Sequence, residues 1–110
     1  MKESELKSVI VDYLEICQRQ GKLYWDRLNS GDFIEVRGPT RRRVKGCRKG
    51  TADLFILSDS RVIFLELKSE KGKQTETQKE FEMTMKLYGN EYYIVKSFED
   101  LETILEGGKA

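Results

Sequence analysis

With 110 residues, the chain is long enough to enclose one hydrophobic core and too short to enclose two. Its 38% hydrophobic and 35% charged residues exclude a disordered chain, because apolar runs recur along the whole sequence. The absence of histidine excludes a histidine base, and two cysteines without a Cys-x-x-Cys pair do not support a zinc knuckle. No signal peptide or membrane-spanning segment is recognisable, so we expect a single cytoplasmic domain over residues 1–110.

The net charge of +1 conceals an uneven distribution of charge along the chain. Between residues 37 and 49 there are seven basic residues and no acidic one. Such a concentration is typical of segments that contact phosphates, and the alternative is a solvated basic loop. We predict that the seven side chains bind DNA: Arg37, Arg41, Arg42, Arg43, Lys45, Arg48 and Lys49.

The first half of the chain predicts a helix, a hairpin and a loop. Apolar residues at helical spacing indicate a helix over about residues 4–19, with Ser4 as N-cap and Cys17 on the apolar face. The turn cluster at residues 29–32 lies between two apolar runs and therefore predicts a β-hairpin. The basic segment that follows, residues 37–50, is predicted to be a loop.

The second half predicts two adjacent strands, at about residues 53–58 and 61–68, joined by a tight turn at Asp59-Ser60. The second of these strands is apolar on both faces, which is typical of a strand that is covered on both sides. A helix from Thr75 to about residue 88, a strand at 91–96 and a short helix at 98–106 complete the order α-β-β-β-β-α-β-α. This order indicates an α/β fold with a mixed β-sheet flanked by helices.

Charged residues stand at the ends of the two adjacent strands. Asp53 begins the first strand, whereas Glu66 and Lys68 end the second and point to the same face, since they are two residues apart. Two carboxylates bind a hard cation through oxygen, as magnesium prefers, and the main-chain carbonyl of Leu67 offers a further oxygen. Such a cation polarises a phosphate and activates water, while the lysine stabilises the transition state. The alternative is a surface pair of Glu66 and Lys68 on an exposed strand, with Asp53 as a turn residue.

These residues also stand in a longer motif. The segment Gly50-Thr51-Ala52-Asp53-Leu54 is followed by Phe64-Leu65-Glu66-Leu67-Lys68-Ser69, then by Lys71-Gly72-Lys73 and Gln78. This pattern resembles the VRR-NUC family, whose members resemble PD-(D/E)XK nucleases and Holliday-junction resolvases. The resemblance covers Glu5 to about Ser97. Only Arg43-Val44 partly matches the VRR triplet that gives the family its name.

The resemblance implies a PD-(D/E)XK, restriction-endonuclease-like fold and assigns roles to single residues. It implies that Asp53 and Glu66 are metal ligands, that Lys68 is the catalytic lysine, and that Glu5 completes the metal shell. Gln78 matches the helix glutamine near the family's active site. Both of the last two have an alternative role, because an acid is favoured at a helix N-terminus and Gln78 can form a capping box with Thr75.

Together these features predict a DNA endonuclease that requires Mg²⁺, for which Mn²⁺ would substitute. The resemblance implies branched DNA or a Holliday junction as substrate, and a phage origin would fit such a compact protein. Two symmetric cuts imply a homodimer. The alternatives are a non-catalytic DNA-binding module and a nuclease subunit of a larger replication or packaging assembly.

Overall fold

The computed structural model describes residues 1–108, in which three helices and six strands form. Their bounds are α1 Glu3–Arg19, β1 Tyr24–Arg27, β2 Asp32–Arg37, β3 Thr40–Lys45, β4 Leu54–Ser58, β5 Arg61–Leu67, α2 Glu76–Leu87, β6 Glu91–Val95 and α3 Phe98–Leu105. The chain order contains one strand more than the sequence predicted, namely β3. Among the described residues, no helix is both long enough and apolar enough to cross a membrane.

Four strands form the main sheet, in the order β1-β4-β5-β6. The pairs β1–β4 and β4–β5 are antiparallel, and the pair β5–β6 is parallel. A parallel pair needs a crossover connection, which α2 supplies here between β5 and β6. The prediction of an α/β fold with a mixed sheet flanked by helices is therefore confirmed.

The hydrophobic core lies on one face of this sheet, beneath α1 and α3. On β5, Ile63, Leu65 and Leu67 alternate toward this face, and all three are buried. Helix α1 contributes every third or fourth of its residues to this core, as an amphipathic helix does. The helix and strand residues of the core are Leu6, Ile10, Leu14, Trp25, Leu54, Ile56, Ile63, Leu65, Leu67, Val95, Leu101 and Ile104. Cys17 is also buried, as predicted.

The opposite face of the sheet is covered only in part, by α2. The ring of Phe64 on β5 meets Phe81 on α2 edge-on, with 5.4 Å between the ring centroids. Helix α2 nevertheless has no buried residue, and Val62 on the same face remains 37% exposed. The prediction that β5 is covered on both sides therefore holds near Phe64 and not at the beginning of the strand.

The predicted hairpin at residues 29–32 is wrong, because β1 pairs with β4 and not with β2. Trp25 explains the difference: it is 6% exposed, its main-chain N donates to Gln18 Oε1 at 2.9 Å, and its Nε1 donates to Glu15 Oε1 at 2.8 Å. These contacts hold β1 against α1 and the main sheet. The hairpin forms later in the chain, between β2 and β3.

The β2–β3 hairpin, which we call the ribbon, occupies residues 32–45. Its two-residue turn is Gly38-Pro39, where Gly38 has a φ of +57°. A glycine at the first turn position followed by proline gives the order of φ values that a type II′ turn requires. Residues 40–45 of the predicted basic loop therefore form a strand.

Both helices that follow a strand begin as the sequence predicts, but α1 does not. Thr75 caps α2 in a capping box with Gln78, and Ser97 caps α3 through Asp100 N. Helix α1 has Lys2 at the N-cap position without a side-chain cap, so Ser4 lies inside the helix. Two acidic residues in its first turn favour this end through the helix dipole.

Gly50 connects the segment before β4 to α2 by a close approach of two backbones. It is buried with a φ of +92°, and a Cβ at this position would lie 2.5 Å from the main-chain oxygen of Thr77. A side chain here would therefore push the beginning of α2 away from the segment that leads to Asp53 and β4.

We expect Gly50→Ala to destabilise the fold by about 1–2 kcal/mol through its positive φ, and further through the clash with Thr77. Gly89→Ala is the matched control, since Gly89 has a φ of +84° and no atom within 4 Å of the added Cβ. Thermal unfolding of both variants measures the difference. Equal losses of stability would contradict the close approach at Gly50.

Candidate functional site

The turn between β4 and β5 determines which residues face each other at the far end of the two strands. Asp59 and Ser60 have φ values of +44° and +66°, which a type I′ turn requires, and Ser58 pairs with Arg61 across it. The register continues to Leu54 opposite Leu65. Asp53 directly precedes this pair, and its side chain lies close enough to Glu66 to form a hydrogen bond with it.

The carboxylate of Asp53 is held in place by the backbone of β5. Its Oδ2 accepts a hydrogen bond of 2.7 Å from Leu67 N, while its own main-chain N donates to Leu65 O at 3.0 Å. The side chain therefore extends the ladder between the two strands. This contact fixes the carboxylate beside Glu66.

Glu66 is the one buried charged residue among residues 1–108, with 3% of its surface exposed. Its pKa is raised from the ordinary value of 4.5 to about 8, chiefly by burial and also by hydrogen bonding to Asp53 and by the charge of Asp53. The charge of Lys68 and the hydroxyl of Tyr92 act in the opposite direction and are weaker. At neutral pH, without a cation, the Glu66 carboxyl is therefore mostly protonated.

Lys68 follows Glu66 on the same face and is half-buried. Its stem lies against the loop after β5, where a Cβ at Gly72 would be 3.3 Å from Lys68 Cβ. Among the described residues, no carboxylate lies within salt-bridge distance of its ammonium. The alternative of an exposed surface pair is thus wrong for Glu66, which is buried and not ion-paired to Lys68.

A chain of polar side chains on the α2 side of the sheet leads away from Glu66. The Tyr92 hydroxyl donates to Glu66 Oε1 at 3.4 Å and accepts from Gln74 Nε2 at 3.2 Å. Gln74 Nε2 also donates to Glu82 Oε1 at 2.8 Å. The sequence analysis gave no functional role to Tyr92, Gln74 or Glu82, because contacts between residues 8 to 26 positions apart leave no periodic pattern in the sequence.

Two other predicted site residues are placed differently. Gln78 Oε1 accepts from Thr75 N at 2.9 Å, so the capping-box interpretation of this glutamine is confirmed and its part in an active site stays a prediction. Glu5 lies exposed in the first turn of α1. Within residues 1–108 there is no group of three or more His, Cys, Asp or Glu side chains that could hold a metal ion, so Glu5 is not grouped with Asp53 and Glu66.

The Asp53–Glu66 pair nevertheless fits a magnesium ion in its donor chemistry. Mg²⁺ in phosphate-processing sites is usually held by one or two carboxylates, with substrate phosphates and water in the remaining positions. Two adjacent carboxyls that retain a proton at neutral pH are also the groups whose repulsion a cation would relieve. Main-chain oxygens such as that of Leu67 are acceptable ligands for such an ion.

The seven predicted DNA-binding cations divide between two places. Five lie on the ribbon, and Arg48 and Lys49 follow it. On the ribbon, Arg37 and Arg42 both pair with Glu35. Arg43 pairs with Asp32 at 2.7 Å. The basic segment thus has two acidic partners on β2, Asp32 and Glu35, which lie outside residues 37–49.

The structure therefore brings together Asp53, Glu66 and Lys68 at one end of β4 and β5. The chain matches no known family model, and no curated protein is similar enough to it to count as a relative. The grouping of these three side chains is thus the main observation that bears on function.

The raised pKa of Glu66 predicts a dependence of folding stability on pH. Because this pKa is higher in the folded chain than in the unfolded chain, the stabilisation is complete below about pH 4.5 and is lost as the pH rises through about 8. In EDTA we expect the free energy of unfolding of the wild type to fall across this window by an amount on the order of a few kcal/mol.

Chemical denaturation between pH 5 and 8.5 measures this dependence. In Glu66→Gln the fall should be much smaller, since the amide does not titrate. Glu70→Gln, at an exposed position, is the matched control and should follow the wild type. The same pH dependence in Glu66→Gln and the wild type would contradict the buried carboxyl pair.

Proposed function

We propose that this protein is a Mg²⁺-dependent endonuclease that hydrolyses DNA phosphodiester bonds, and that Asp53, Glu66 and Lys68 form its active site. The observation that carries the proposal is the buried Glu66 carboxyl, held beside Asp53 with a pKa raised to about 8. Burial of an acid beside another acid is unfavourable for the fold alone, and strongly shifted carboxyls cluster at functional sites.

In this proposal Asp53 and Glu66 hold the ion, with the Leu67 carbonyl as a further oxygen ligand. When bound, the ion supplies Lewis-acid polarisation of the scissile phosphate. The backbone N–H of Leu67 keeps the Asp53 carboxylate in position, and the Tyr92 hydroxyl does the same for Glu66. Positioned ligands of this kind lower the reorganisation that catalysis would otherwise require.

Lys68 is the residue that acts on the reacting groups. Since no described carboxylate pairs with it, its ammonium is available to a water molecule or to the phosphate. A positive charge aimed at the phosphate stabilises the negative charge that develops in the transition state.

The fold and the family are part of the same proposal. A mixed sheet with Asp53 directly before β4, Glu66-Leu67 at the end of β5 and Lys68 directly after it supports a PD-(D/E)XK fold of the VRR-NUC type. That resemblance favours branched DNA or a four-way junction as substrate, with Mn²⁺ able to replace Mg²⁺. A homodimer would supply the two symmetric cuts.

A DNA-binding module without catalysis is the second candidate. It is favoured by one observation, the exposed basic ribbon, which needs no metal to contact phosphates. The two candidates differ in whether Asp53, Glu66 and Lys68 cleave DNA.

We expect the purified protein to cut a labelled four-way junction in Mg²⁺ or Mn²⁺ and to be inactive in EDTA. Glu66→Gln removes the charge of a ligand, and Lys68→Met removes the ammonium while keeping the apolar stem. Each should lower the single-turnover cleavage rate by about 100-fold or more, while DNA binding in EDTA is retained.

Lys71→Met is the matched control, because it removes the same ammonium from an exposed position in the neighbouring loop. It should cut at nearly the wild-type rate, and thermal melting verifies that all variants fold. A folded Lys68→Met protein with wild-type cleavage would exclude this active site, and cutting that persists in EDTA would exclude the metal.

A further inference from the structure

The ribbon stands apart from the rest of the protein. Neither β2 nor β3 contacts any other described helix or strand, and the two strands pair only with each other. Its base is joined to the chain by main-chain hydrogen bonds from Gly31 N to Cys47 O and from Cys47 N to Asn29 O. The molecule is accordingly elongated, with a longest extent of 49 Å and a radius of gyration of 15.1 Å, against about 13 Å for a compact chain of this length.

The two faces of the ribbon differ in composition. Paired residues in an antiparallel ladder share a face, and faces alternate along each strand. One face carries Arg41, Arg43 and Lys45 from β3 beside Asp32, Ile34 and Val36 from β2. We call it the cationic face. The other, the paired face, carries Thr40, Arg42 and Val44 beside Phe33, Glu35 and Arg37.

The faces also differ in how their charges are satisfied. On the paired face both arginines are ion-paired to one acid, Glu35. On the cationic face Asp32 pairs with Arg43, and Arg41 and Lys45 have no acidic partner within residues 1–108. The ribbon cations that have no ion pair among the described residues are therefore on one face.

Apolar side chains lie between these cations. Ile34 is 70% exposed and Val36 is 61% exposed, both on the cationic face. No other helix or strand within residues 1–108 covers them, since the ribbon contacts none. A face that combines free cations with exposed branched side chains is suited to a polyanion that also presents apolar groups.

We propose that the ribbon enters the major groove of duplex DNA through its cationic face. The inference rests on the proposed function only in taking DNA as the ligand. The major groove of B-form DNA is about 12 Å wide and admits a two-stranded β-ribbon. Its walls present phosphates to Arg41 and Lys45, and the thymine methyl groups on its floor offer apolar contact to Ile34 and Val36.

The chain that follows β3 supports DNA as the occupant. Arg48 and Lys49 leave the base of the ribbon as two further exposed cations, and Asp53 is four residues beyond Lys49. Four residues span at most about 14 Å. Positive charge therefore continues from the ribbon toward the proposed active site, as a duplex lying across both would require.

The test compares two double variants that each lose two positive charges from the ribbon. Arg41→Gln with Lys45→Gln alters the cationic face, and Arg37→Gln with Arg42→Gln alters the paired face. Binding to a fluorescent duplex in EDTA is measured as a function of salt concentration. We expect the first pair to lower the log–log salt slope by about 1.8, from two lost phosphate contacts, and the second pair to change it much less.

A duplex RNA of the same sequence provides an independent readout. The major groove of A-form RNA is too narrow for side chains to read, so the wild type should bind it more weakly than DNA. Equal losses in the two double variants, equal affinity for the RNA duplex, or no binding of the wild type to duplex DNA would each overturn the inference. If the Arg41→Gln, Lys45→Gln variant sediments differently from the wild type but binds DNA equally well, the cationic face is a protein interface and the DNA inference is overturned.

Cleavage in Mg²⁺ separates this inference from the proposed function. If the wild type cuts DNA while both double variants bind alike, the ribbon inference fails and the nuclease stands. If nothing cuts but only the cationic-face variant loses affinity, the ribbon inference stands and the nuclease fails.

Discussion

The burial of Glu66 beside Asp53 is the constraint on which the rest of the site depends. Two ionised carboxylates cannot share a poorly solvated position without a proton or a cation between them, and the pKa of Glu66 rises to about 8 for this reason. The surrounding contacts hold the pair in this arrangement. The two-residue turn at Asp59-Ser60 fixes the register of β4 against β5, and the Leu67 N–H orients the Asp53 carboxylate beside Glu66. In the proposed function, a bound cation would relieve the repulsion between the two carboxylates.

The alternation of β5 allows the fold to support this site. Ile63, Leu65 and Leu67 face the core under α1 and α3 and contribute most of the strand's apolar burial, while Glu66 faces the other side. That side is covered only by α2, which buries none of its own residues. The core residues of β5 and the carboxyl of the proposed active site therefore lie on opposite faces of one strand.

The sequence predicted the grouping of Asp53, Glu66 and Lys68, because a tight turn and a period of two determine position over short distances. It could not predict which of two turn signals closes the hairpin. The cluster at residues 29–32 and the Gly38-Pro39 pair are both plausible turns, and only the tertiary packing of Trp25 against α1 excludes the first. The contact from Gln74 to Tyr92 was equally beyond prediction, since parallel pairing of β6 with β5 creates it.

Calorimetric titration with Mn²⁺ at pH 7 tests the central claim most directly. The wild type should bind one ion and release close to one proton, because Glu66 must ionise to become a ligand; titrations in two buffers of different ionisation enthalpy measure that proton. Asp53→Asn keeps an acceptor for the Leu67 N–H but loses the charge, and it should bind far more weakly. Undiminished binding by Asp53→Asn, or no binding by the wild type, would contradict the assignment of this carboxylate pair as a metal site.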